Sequence, residues 1–92
     1  MAAESKQHGY GADARTSLAR ALLQLGDAMT AGDEAEAALA VAMELELMIV
    51  RCRAHRVLAE VNKRLDRRAA ASAHLAEARS IQRITGYVPE AG

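Results

Sequence analysis

The sequence predicts an all-α fold of two antiparallel helix–turn–helix hairpins, four helices in total, and three observations carry that reading. The 92 residues include 22 alanines and ten leucines, two Tyr and no Phe or Trp, a balance that favours helix over strand. Apolar residues recur at steps of three and four from Leu18 to Ile81, the period of an amphipathic helix. Gly and Asp punctuate the chain at Gly32-Asp33, Asp66 and Gly86, where helices would stop and restart.

Residues 1–12 contain Gly9 and Gly11 and no apolar period, which reads as a flexible tail. Asp13 is a candidate N-cap for a first helix whose inner face would be Leu18, Leu22, Leu25 and Met29. Gly32 supplies its stop, and Asp33 with Glu36 forms a capping-box-like start for the next. The second helix carries Val41, Leu45 and Met48 on one stripe and Leu39, Met43 and Leu47 on another roughly opposite. A helix apolar on two sides is covered on several sides, so this one is expected at the centre. No Gly, Pro, Asn, Asp or Ser interrupts Leu47-Met48-Ile49-Val50-Arg51. Either a tight break falls near 48–50, or helices two and three merge into one of roughly 48 Å at about 1.5 Å per residue. Val50, Ala54, Val57, Val61 and Leu65 continue the period. Asp66 can cap a last helix with Ala71, Leu75, Ala78 and Ile81 inward, closed by Gly86 and blocked by Pro89. The helical domain is thus expected at 13–87, with 88–92 as a C-terminal tail.

Size and composition exclude several classes. The chain is too short for two independent cores, and a single Cys excludes an internal disulfide framework and fits a reducing, cytoplasmic setting. The opening residues lack the apolar run of a signal peptide, and no stretch has the length of apolar sequence that spans a bilayer. Net charge is zero, but unevenly spread: residues 1–48 hold three Lys/Arg against eight Asp/Glu, and residues 49–92 hold nine against four. Opposed halves of −5 and +5 can pair within the chain or draw a second copy head-to-tail.

Residues 25–47 superimpose on 58–81 with one gap, a period near 34. The match rests on Leu25-Gly26, Gly32-Asp33 and Ala37 against Leu58, Asp66, Ala71 and Ala78. Over roughly residues 15–85 the chain resembles the tetratricopeptide repeat, a helix–turn–helix unit that stacks into a superhelix. Several positions depart from it: Met29, Asn62, Val41 and Leu75 stand where that family carries bulky, often aromatic residues, and Glu44 where it carries a small one. The resemblance implies a concave groove that holds a peptide or partner helix, and a role as an assembly or regulatory module.

No motif for catalysis stands out: there is no phosphate-cradling glycine loop, nucleophile elbow or persuasive carboxylate pair, so no enzyme activity and no cofactor is expected. Cys52 and His55 are three apart, with His74 further on. A structural zinc site wants four ligands, and no fourth accompanies them, so no metal is expected either. The candidate partner-binding residues are Arg53, Arg56, Lys63 and Arg64, which share about a third of a helical circumference and would favour an acidic segment in the groove the resemblance implies. Glu60 among them can instead pair at helical spacing. Leu39, Met43 and Leu47 are the candidate self-association residues of a homodimer. The alternative is a small helical protein contacting nucleic acid through Arg51 to Arg68, which the missing aromatics and the neutral total disfavour.

Overall fold

The computed structural model describes residues 2–86, with side chains from residue 11 onward, so the expected tail at 88–92 lies outside the described residues. Among these residues the chain is entirely helix and turn: α1 (Ala2–Gln24), α2 (Ala28–Glu44), α3 (Met48–Arg64) and α4 (Arg68–Thr85). Each helix packs against the next as a hairpin, and α1 also reaches α3.

The three connections share one geometry. Leu25, Leu45 and Leu65 each precede a residue in the left-handed conformation: Gly26 (φ +89°), Glu46 (φ +55°) and Asp66 (φ +59°). The next N–H then reaches back five residues, Asp27 to the Leu22 carbonyl (2.9 Å), Leu47 to Ala42 (2.8 Å) and Arg67 to Asn62 (2.7 Å). Such closure satisfies carbonyls that a helix end leaves unpaired. Equivalent turns are therefore 20 residues apart and the hairpin unit is 40. The 34-residue register does not coincide with this spacing, for it lays Leu25, in a turn, over Leu58, in the middle of α3.

Several expected boundaries move for identifiable reasons. The first turn is at Leu25-Gly26-Asp27, where the Asp27 side chain accepts from the Thr30 N–H at 3.2 Å. Gly32 and Asp33 lie inside α2. There Gly32 answers to packing, because a Cβ on it would sit 3.1 Å from Cγ1 of Val61. Helices two and three are separate, divided at 45–47, where a glutamate takes the conformation that favours glycine. Asp66 is likewise in the turn; the N-cap of α4 is Arg67. Gly86 closes α4 in the left-handed conformation (φ +72°) as the sequence indicates. At the other end the helix runs back to Ala2, through the stretch read as a tail, and Asp13 lies within it. Two glycines cost such a helix about 1 kcal/mol each. Within the same helix Ala12 is buried, and the Thr16 hydroxyl donates to its carbonyl at 2.9 Å.

The core is lined by small residues. Ala31, Ala35, Ala38 and Ala42 form the buried face of α2, and Ala12, Thr16, Ala19 and Leu23 that of α1. Val57, Leu58 and Val61 of α3 complete the main cluster, with Leu22, Leu39 and Leu65 at its edge. Leu18, Leu25 and Met29, expected inside, are exposed. Alanine faces let helix axes approach closely, and that approach leaves no room for leucine at the same positions. The central helix is α3, not α2: α3 touches all three others, whereas α4 touches α3 alone.

Candidate interaction surfaces

The four candidate basic residues do not act as one group. Arg53 is ion-paired with Asp13 of α1. Arg64 donates to the Leu23 carbonyl near the end of α1 and lies 3.9 Å from Glu60, a cation placed where a helix leaves bare carbonyls. Both therefore tie α3 to α1. Arg56 and Lys63 are exposed, on the strip of α3 between the side facing α1 and the side facing α4, given 100° per residue. The structure thus divides the quartet into two fastening arginines and two outward cations.

The candidate self-association residues also divide. Leu39 is half-buried against the main core, Leu47 is half-buried in the second turn, and Met43 is 55% exposed. Two other apolar faces are more open, both on the terminal helices of the array. On α1 and into its turn, Ala14, Leu18, Ala21 and Leu25 are exposed on the side away from the buried face, Leu25 at 82%. On α4, Ala69, Ala73 and Ala76 are exposed on the side away from Ala78, and Ile84 at their edge is 72% exposed. Sequence reading missed the α1 face because it placed Leu18 and Leu25 in the core, and the α4 face because its outward residues are mostly alanine. The signal that could have found them is the run of alanines in α2, whose spacing of four, three and four already defines a buried face.

A third constellation sits in the α3–α4 seam. His55 is buried and its Nδ1 lies 2.9 Å from Nδ1 of His74, the ring centroids being 5.2 Å apart. Burial, then the neighbouring His74, lower the His55 pKa, Arg51 acting the same way and Glu77 opposing. One turn earlier Cys52 is buried, its Sγ 3.5 Å from the Ala78 carbonyl. Burial pushes that thiol's pKa up, against smaller opposing effects of Arg56 and Gln82. A raised pKa disfavours the thiolate that nucleophilic chemistry needs. Arg51 donates to Sδ of Met48 at 3.5 Å, and its Nε is buried with no hydrogen-bond partner among the described residues.

Among the described residues no group of three or more His, Cys, Asp and Glu is arranged to hold a metal ion, and no helix is long and apolar enough to cross a membrane. No protein-family model, no curated protein and no solved structure matches the chain.

Proposed function

We propose that the chain is a non-enzymatic protein–protein interaction module that associates with further copies of itself, end to end. The observation that carries this reading is the pair of uncovered apolar faces on the two terminal helices. Helical arrays need end helices with polar outer faces to remain soluble as single units. Here α1 presents Ala14, Leu18, Ala21 and Leu25, and α4 presents Ala69, Ala73, Ala76 and Ile84. A second copy laying its α1 on this α4 continues the pattern of neighbouring helices along the array. Burial of apolar surface drives this pairing rather than charge, for α1 holds three Lys/Arg against two Asp/Glu and α4 three against one.

Sedimentation velocity tests the proposal. Wild-type protein should exceed monomer mass at about 50 μM and grow with concentration, because a head-to-tail contact does not close on itself. Leu18→Glu with Leu25→Glu should remain monomeric with helicity unchanged. Roughly 0.5 M salt should not weaken the wild-type association, since the contacting helices carry like net charge that salt screens. A wild-type monomer throughout that concentration range would remove the reading.

A further inference from the structure

We propose that the His55–His74 contact is a proton-operated latch on α4, closed while the pair carries at most one extra proton and released when both imidazoles are charged. The geometry defines the protonation states. At 2.9 Å between two Nδ1 atoms, one nitrogen donates its N–H and the other accepts through a bare lone pair. In the neutral pair the accepting ring carries its proton on Nε2, and the donating ring has a free Nε2. A first added proton goes to that free Nε2 and leaves the bond intact, now charge-assisted. A second proton must go to the accepting Nδ1. The lone pair is then consumed, and two N–H groups on two cations face each other where a hydrogen bond was.

The surroundings add to this penalty. His55 is only 7% exposed, and a buried imidazolium is costly. Of the charges acting on it, Arg51 comes from its own helix and adds to the repulsion. His74 and Glu77 come from α4, with Glu77 opposing the shift, and among the described side chains of α1 and α2 none contributes. Once α4 is released His55 returns to water and binds a proton more readily. Docking is therefore fully favoured above the ordinary histidine pKa of about 6.5 and loses ground as pH falls below it.

The fold makes α4 the element that yields. It packs on α3 alone, and its buried residues are Ala78 and Ile81, which meet Cys52 and half-buried Met48 in a small cluster apart from the main core. Elements with few buried contacts open locally while the rest stays folded. Release uncovers Cys52, the chain's one thiol, which supplies the readout.

The experiment follows labelling of Cys52 by a pyridyl disulfide that reacts in acid, with each rate divided by that of an unstructured cysteine peptide at the same pH. From pH 7.5 to 5.0 the normalised rate should rise about tenfold or more in wild type and less than about threefold in His74→Gln. A flat wild-type rate, or an equal rise in His74→Gln, would overturn the latch. Should that variant unfold, NMR titration of the wild type decides. The His55–His74 pair should take up protons in two separated steps. A single step at the ordinary histidine value would also overturn it.

Discussion

Replacing Leu58 with alanine is expected to cost about 3 kcal/mol, within the roughly 2–5 kcal/mol seen for buried leucines. Leu58 is 1% exposed and is among the largest fully buried side chains in the molecule. It lies in the middle of α3, in the cluster with Ala19 and Leu23 of α1 and Ala31 and Ala35 of α2. Those neighbours are short and fixed on helices that already pack closely, so they cannot collapse into the space left behind. For a domain whose total stability is about 5–15 kcal/mol, the loss should appear as a large fall in the urea midpoint with little change in slope. Leu25→Ala supplies the contrast, because the Leu25 side chain is mostly in solvent: its cost at low protein concentration should stay within about 0.5 kcal/mol.

Enlarging an alanine should be nearly as damaging as shortening that leucine. Ala35 is wholly buried where α2 meets both the α1 residues Ala19 and Leu23 and the α3 residues Val57, Leu58 and Val61. In Ala35→Leu three further carbons must enter a space that has none to spare, and overpacking of this kind costs about 1–3 kcal/mol or more. The expected outcome is a protein with retained far-ultraviolet helicity, a broadened thermal transition and poorly dispersed methyl signals. Placing the same leucine at Ala40, exposed on the outer side of α2, should leave all three unchanged. Together the two variants test whether size is excluded by the close approach of the helices or merely by chance of sequence.

How far the fold is legible in the sequence depends on which physical signal each element carries. The helical class follows from composition and period, and the α4 face of Ala78 and Ile81 is read correctly because the period there is unbroken. Two glycine–aspartate pairs compete for the first turn, Gly26-Asp27 and Gly32-Asp33. They are locally equivalent, and the choice is made by tertiary packing, in which Gly32 must lie against Val61. The second turn carries no glycine at all; Glu46 takes a left-handed conformation because the hairpin around it closes well enough to offset the strain. The inner face of α1 is misread for another reason. Alanine and leucine count alike as apolar, yet closely packed helices select the smaller.

The candidate surfaces show a similar division. That Arg53, Arg56, Lys63 and Arg64 share one side of a helix follows from spacing. That Arg53 and Arg64 are engaged does not, since their partners, Asp13 and the Leu23 carbonyl, are 40 and 41 residues away. The histidine pair is hidden in the same manner, its two rings brought together across 19 residues by the hairpin alone.

The central claim is that the large apolar side chains facing outward are covered by another copy of the chain. Radical footprinting of Leu18 and Leu25 at increasing protein concentration measures the covering directly, with peroxide oxidation of Met29 and Met43, on α2, as the control in the same samples. Exposed at 60% and 55% in the single chain, the two methionines should react nearly as fast as free methionine in dilute protein. On assembly, Leu18 and Leu25 should become strongly protected, while Met29 and Met43, outside the α1–α4 contact, keep their reactivity. If Leu18 and Leu25 react at the same rate in dilute and concentrated protein, nothing covers the end of the array and the account fails.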